Sequence, residues 1–263
     1  MIELPADQLA DCFGLGVAGN FAGHLEQAGE AKDFVAADSP AAAPKGIFPW
    51  YVPGSADFLG DFPLSSDSLI LPRSEDASEA ALNLQIEPEA AAVCRVSYED
   101  GLPARLTPEA LAAFNDCSIR RPGAGRISEK KNWGAASKGI ASQGFAAQEL
   151  TRDGDAGALR IASFLRRGDA CFEYGIDSPL AGYSYFGEAL LSWIVDRLQG
   201  QKGGDSPLED VGALLTACGR PERIVIGLGA TRYTYFGERE FLRAGDESIV
   251  ILYDDGVHSA AQI

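Results

Sequence analysis

The stretch LQIEPEAAAVCRVSY, residues 84–98, reads as a β-strand with two carboxylates in it. Side chains alternate across a strand, so Glu87 and Glu89 point to one face, which Ala91 and Val93 continue as apolar residues. Two readings account for acids on a face that is later buried. In one, the pair sits on a solvated strand start and Pro88 marks a sheet edge. In the other, a divalent ion offsets their repulsion, because paired carboxylates form half of a hard-oxygen site suited to magnesium, manganese or calcium. A third oxygen ligand elsewhere in the chain decides between the two.

Outward from this strand the chain keeps a strand-rich rhythm. TPEALAAF (107–114) has helix chemistry, with Thr107 as N-cap and Pro108 in the first turn. RPGAGRISEKKNWG (121–134) is a loop, and LRIASFLRRGDACFEYG (159–175) is a β-hairpin turning at Gly168–Asp169. GEALLSWIVDRLQG (187–200) repeats apolar residues at helical period, at 190, 191, 194, 195 and 198, with Gly200 to end it. A second helix follows, with Ser206 as N-cap, Pro207 in the first turn and Glu209 completing a capping box. RIVIGLG (223–229) and SIVILYDD (248–255) are late strands. Upstream, SEDASEA (74–80) is an acidic surface turn, and residues 40–75 are rich in Pro, Gly and Ser, with Ile47–Phe48 and Leu69–Leu71 as candidate short strands. Helices are few and short, so the pattern is a β-rich α+β fold rather than alternating βαβ units. YSYFGE (183–188) echoes YTYFGE (233–238). Two copies fall short of a repeat architecture; they read as shared strand-and-turn chemistry, with a pair of aromatic walls around a site as the alternative.

Composition excludes several function classes. The chain has 263 residues, 46% of them apolar, which is enough for a sizeable core. Its net charge of -16, from 38 acids and 22 bases, argues against nucleic acid or an anionic membrane as partner. The start, MIELPADQLADCFG, lacks the basic and apolar regions of a signal peptide, and no apolar run is long enough to span a bilayer. Cys12, Cys94, Cys117, Cys171 and Cys218 are scattered without a CxxC, as expected of free thiols in a reducing cytoplasm. With two histidines, a Cys/His zinc site is not expected.

GLGVAG (14–19) matches the dinucleotide fingerprint GxGxxG, with Asp38 near the distance of a ribose-binding acid. The match is isolated. ADQLADCF, ahead of Gly14, is a poor buried strand, and the rest of the chain does not alternate strand and helix.

Several weaker signals gain meaning from their order. NFAGHLEQ (20–27) carries His24; GIFPWYVPGS (46–55) and LILPR (69–73) are Pro-containing; IEPEAAAVCRV (86–96) holds the two acids. NDCSIR (115–120) brings Asp116 and Arg120, KNWG (131–134) brings Lys131, and IGLGAT (226–231) and AGDE (244–247) close the series. Together these elements resemble the fumarylacetoacetate hydrolase family along nearly the whole chain. The Glu-x-Glu and Asn-Asp-x-Ser-x-Arg elements are the most specific.

The resemblance implies a mixed β-sandwich roll of that family's C-terminal-domain type, α+β and β-rich, commonly a homodimer. It implies one domain over residues 1–263, in which 1–75 supply strands and loops wrapping a β-roll core of 76–263. Glu87, Glu89 and Asp116 become ligands of a divalent cation, magnesium first, with manganese or calcium as alternatives. His24 becomes the general base, with Glu26 and Glu30 as nearby acids; Lys131 serves catalysis, and Arg120, Lys131 and Thr231 hold substrate. The implied function is a cytoplasmic metal-dependent hydrolase or lyase acting on a small 2-oxo or 1,3-diketo acid. C–C hydrolysis, decarboxylation and hydration or isomerisation all share a metal-stabilised enolate.

The chain also departs from the family pattern. Gln27 stands where the family has an acid, Val52 where a lysine precedes the Pro, and GATRYT (229–234) replaces a Gly-Thr-Pro turn. These departures leave open a non-catalytic binding or regulatory protein that keeps the fold and the cation. A nicotinamide-dependent oxidoreductase, from GLGVAG, is the more distant alternative.

Overall fold

The computed structural model describes residues 1–29, 43–72, 82–120, 124–148, 150–204 and 207–263. Glu30, Asp38, the acidic turn at 74–80 and the Ser206 cap lie outside the described residues. The elements are β1 (Ile2–Glu3), β2 (Phe13–Ala18), α1 (His24–Gln27), β3 (Gly46–Tyr51), β4 (Leu64–Ser65), β5 (Leu84–Gln85), β6 (Pro88–Glu99), β7 (Leu102–Asn115) and β8 (Ser118–Ile119). They continue with β9 (Lys138–Ile140), β10 (Gln143–Ala146), β11 (Leu159–Arg167), β12 (Ala170–Pro179), α2 (Glu188–Gly200), α3 (Val211–Ala217), β13 (Arg223–Gly227) and β14 (Glu247–Asp254). The fold is thus α+β and strand-rich, as its sequence suggests.

The main sheet runs β1-β10-β7-β6-β13-β2-β3, with β9 also paired to β7 and β4 to β9. A second sheet runs β12-β11-β14, and β5 pairs with β8 alone. β6 is therefore central, between β7 and β13, and from Pro88 to Cys94 both its faces are buried. Ala90, Ala92 and Cys94 pack with Leu190, Ile194 and Leu198 of α2 in one core cluster, while Ala91 and Val93 pack with Trp50, Phe114 and Val225 in another. Double-sided burial explains the continuous apolar run of the strand. It also corrects the edge reading of Pro88. This residue opens a central strand opposite Asn115, a position where its missing N–H is tolerated.

The helix expected at 107–114 is the second half of β7. Asp100 and Gly101 turn the chain at φ 51° and 79°, and β7 folds back along nearly the whole of β6. Alanine-rich helical preference yields because Ala110–Phe114 are buried on both faces by a partner strand already in place. Pro108 lies opposite Cys94, at a register shift that spares the ladder one N–H.

The glycine run at 14–19 is largely strand β2 itself, not a loop before a helix. A Cβ at Gly14 would strike the Trp50 ring, and one at Gly16 the Phe48 ring. The glycines thus admit β3 aromatics across the sheet, and the dinucleotide reading fails on this geometry. Leu69–Leu71 forms no strand, whereas Ile47–Phe48 lies in β3. The hairpin at Gly168–Asp169 forms as expected, and so does α2, whose five periodic apolar residues are all buried. α3 starts later than the sequence implies: Asp210 is its cap, accepting from Ala213 N at 2.9 Å, while Glu209 is buried against Ser128. All five cysteines are free, and among the described residues no helix is long and apolar enough to cross a membrane.

Candidate metal centre

The site forms where one antiparallel ladder is interrupted on both strands at the same level. β5 and β6 are separated by Ile86–Glu87, and β7 and β8 by Asp116–Cys117. Across the gap Asp116 N donates to Glu87 O at 3.1 Å, and Glu87 N donates to the Asn115 side-chain oxygen at 3.0 Å. An amide side chain thus replaces a ladder carbonyl, and the backbone is released from regular alternation. Glu87, Glu89 and Asp116 converge there: one ligand oxygen from each lies within 4.8 Å of the others. Their residue exposures are 3%, 2% and 0%.

Buried carboxylates cost several kcal/mol each unless they are compensated. Arg120 Nη2 meets Glu87 Oε1 at 2.5 Å, while its Nε donates to Gln85 Oε1 at 2.7 Å and Nη2 also donates to Tyr233 OH at 3.0 Å. Lys131 Nζ bridges Glu87 Oε2 at 2.5 Å and Asp116 Oδ2 at 2.7 Å. Lys138 pairs with the other Asp116 oxygen. Burial opposes charge on Glu87, yet Lys131 and Arg120 outweigh it and hold its pKa below the usual carboxylate range. Glu89 differs. It accepts from Gly229 N at 3.0 Å but has no ion-pair partner among the described residues. Burial, then the charges of Asp116 and Glu87, push its pKa well above the usual value. Burial pulls the Lys138 ammonium down, against the pull of Asp116.

His24 lies on α1, is 5% exposed, and its Nδ1 sits 2.9 Å from Thr231 O. A carbonyl only accepts, so the neutral ring carries its proton on Nδ1 and its lone pair on Nε2. Thr231 is buried and donates its N–H to Pro88 O at 3.0 Å, which ties the turn that holds His24 to the start of β6. Gln27 Oε1 accepts from Tyr233 N at 2.9 Å and its Nε2 donates to Tyr233 O at 3.2 Å. It is a backbone clamp for that same turn. Glu26 is exposed, and the structure does not bring it to the cluster.

Sequence reasoning missed Lys138, whose only trace is one base in an otherwise small or apolar SKGI. The tyrosine echo, read first as shared strand-and-turn chemistry, is closer to the alternative of aromatic walls around a site. The first tyrosine of each copy is buried at the site: Tyr183 OH donates to Gly229 O at 2.6 Å, and Tyr233 packs 5.2 Å from the His24 ring.

The carboxylate triad fits a hard divalent cation: all-oxygen donors, mutual reach of the right order, and one acid, Glu89, with no ion pair among the described residues. A cleft of about 770 Å³ lies nearby, between Ser248–Val250 of β14, Gly139–Ala141 and the 65–69 loop. It is lined by Asn115 but not by the triad. Asn115 connects the two, donating to Ser248 Oγ at 3.1 Å while accepting from Glu87 N.

Comparison with known proteins places this fold. No curated protein matches the sequence. Solved structures do: Cg1458 with inhibitor matches at TM-score 0.56 and 16% identity, over 95% of this chain and 74% of that one. A protein described as a fumarylacetoacetate isomerase/hydrolase from Oleispira antarctica matches at TM-score 0.51 and 12% identity, over 93% and 88%. At such identities the likeness establishes the fold, that of the fumarylacetoacetate hydrolase family in divergent form. A family model matches residues 30–263, a span that begins after His24 and includes every triad carboxylate, and by that match the chain belongs to the family of unknown function DUF5718.

Proposed function

We propose that this protein is a divalent-metal-dependent enzyme acting on a small 2-oxo or 1,3-diketo acid, with the cation held by Glu87, Glu89 and Asp116. One observation carries the reading: three buried carboxylates converge within 4.8 Å, and one of them, Glu89, has no ion pair among the described residues. A purely structural cluster would not retain that third acid, because it costs stability as it stands. Bound there, magnesium or manganese would polarise the carbonyl of a chelating oxo acid as a Lewis acid. The chain's own residues then have separable tasks. Thr231 O orients His24 so that the basic nitrogen is Nε2, the state needed to move a proton beside a carbonyl. Arg120 and Lys131 hold Glu87 ionised and set positive charge beside the substrate carboxylate. The low exposure of the whole group excludes water and strengthens each of these interactions.

The same reading carries a single domain over 1–263, a homodimer and a cytoplasmic location; light scattering of the full chain tests the dimer. It also covers C–C hydrolysis, decarboxylation and hydration or isomerisation, which share a stabilised enolate and differ in the substrate bond that is broken or the proton that is moved rather than in these residues. The test is a product assay with oxaloacetate and acylpyruvates, with magnesium or manganese present, in the wild type and in Glu89→Gln. Metal-dependent turnover lost in the variant supports the enzyme. Metal-dependent ligand binding without turnover favours a binding protein, the reading to which the Gln27 clamp lends weight, since an amide bonded on both sides to Tyr233 backbone cannot serve as the missing acid.

A further inference from the structure

α1 has four residues, and its N-cap, Gly23, lies at φ 84° and has no side chain to cap it. Isolated helices shorter than about 12 residues are marginal in water, so this one persists through what it docks against. Its dock is the segment 231–234, which runs beside β12. Ile176 N donates to Arg232 O at 2.8 Å, and Thr234 N donates to Tyr174 O at 3.0 Å. Alternate residues of such a pairing turn their N–H and C=O to opposite sides, so Thr231 and Tyr233 present theirs away from β12. There Thr231 O meets His24 Nδ1 at 2.9 Å, and Tyr233 N and O meet the two ends of the Gln27 amide at 2.9 and 3.2 Å. His24 and Gln27 are three residues apart, so they share one face of α1 and bond one strand edge.

Gln27 therefore takes the place of a neighbouring strand. Its amide offers a donor and an acceptor in one plane, as a peptide group would, and Tyr233, at 1% exposure, needs both for its backbone. An ionised glutamate fails at this position. It accepts from Tyr233 N, but its second oxygen meets Tyr233 O, and two acceptors cannot bond. The acid that the family pattern leads one to expect at position 27 would thus release one end of α1, and His24 lies on the same single turn.

We propose that Gln27 is the positioning residue for His24: its amide docks α1 on the edge of 231–233 and so keeps the His24 proton on Nδ1 and its lone pair on Nε2, and an acid at position 27 would weaken the site rather than complete it. The effect on turnover rests on the enzymatic reading above. The effect on the ring does not.

The experiment is long-range 1H–15N NMR of the imidazole rings in the full chain, at about pH 8.5, some two units above the ordinary histidine pKa. The chain has two histidines, and His258→Gln assigns their signals. Wild type, Gln27→Glu and Gln27→Met are compared, with thermal melts to confirm folding. Wild-type His24 should show the Nδ1–H tautomer alone. In both variants its signals should shift toward the averaged pattern of the exposed His258. A folded Gln27→Glu or Gln27→Met that keeps the pure Nδ1–H pattern overturns the proposal. So does a wild-type His24 with its proton on Nε2, or a wild-type Tyr233 amide that exchanges as fast as exposed amides, and neither of these needs a variant to fold. In the product assay, Gln27→Glu should lower kcat at least about 10-fold, a fraction of what a general base contributes, with KM changed less. A rise in turnover in Gln27→Glu overturns the proposal. Absence of turnover in the wild type is a different failure: it overturns the enzymatic reading, and the ring spectra still decide the role of Gln27.

Discussion

Two ion-pair networks in this molecule use the same residue types to opposite ends. At the β11–β14 edge, Asp246 accepts from Arg167 at 2.9 and 2.7 Å and from Arg243 N at 2.9 Å, and Arg167 also reaches Glu240 at 2.9 Å. Each acid there has a base, the arginines reach solvent, and the network braces the loop before β14. At the interrupted ladder, the bases are sealed in with the acids and one acid, Glu89, has no ion-pair partner among the described residues. A network that only braces the fold closes on itself. One that retains an unpaired buried carboxylate holds strain at a site, and such strain is characteristic of function.

Mutations can break this contrast. The largest stability effect is expected from Asp116→Asn, which removes the carboxylate of Lys138 and one of the two of Lys131. Leaving a buried ammonium without its partner should cost about 3–5 kcal/mol, read from urea unfolding. Glu89→Gln sharpens the contrast from the other side. It removes no ion pair, and a glutamine oxygen can still accept from Gly229 N. Stability should change by less than about 1 kcal/mol or rise, while cation affinity falls by at least about 10-fold, since even an outer-shell change at a metal site costs that much. Marked destabilisation by Glu89→Gln would show that Glu89 is structural. The network at the β11–β14 edge should respond modestly and through stability alone: Asp246→Asn, which leaves Arg167 its bond to Glu240, should cost about 1 kcal/mol at neutral pH.

The pH dependence of that last variant follows from the sign of the Asp246 shift. Burial opposes its charge, but the bonds from Arg167 outweigh burial and its pKa is lowered on folding. A carboxylate lowered in this way stabilises above its unfolded pKa, and the benefit is lost as pH falls through the folded one. The stability gap between wild type and Asp246→Asn should therefore narrow below about pH 4, in melts taken across that range. A gap independent of pH would remove charge from the explanation.

Legibility in the sequence followed whether a signal was local. The two acids in 84–98 were visible because charge is rare in a strand, and α2 because its period is long and clean. β7 was misread because TPEALAAF satisfies helical rules locally, and only a partner strand on one side and a core on each face overrule them. The convergence of Asp116 with Glu87 depends on a ladder break created by the Asn115 side chain, a contact between strands that no spacing encodes. Lys138 was invisible for the same reason: alone in SKGI it looks solvated, and only pairing on both sides of β9 buries it.

The central claim is that the triad is a cation site, and manganese titration followed by water-proton relaxation or calorimetry tests it most directly, in the wild type and in Glu89→Gln. One saturable site per chain in the wild type, weakened at least about 10-fold in a folded Glu89→Gln, is the expected result. The claim is contradicted if the wild type shows no saturable binding, or if manganese binds equally well once Glu89 is neutral.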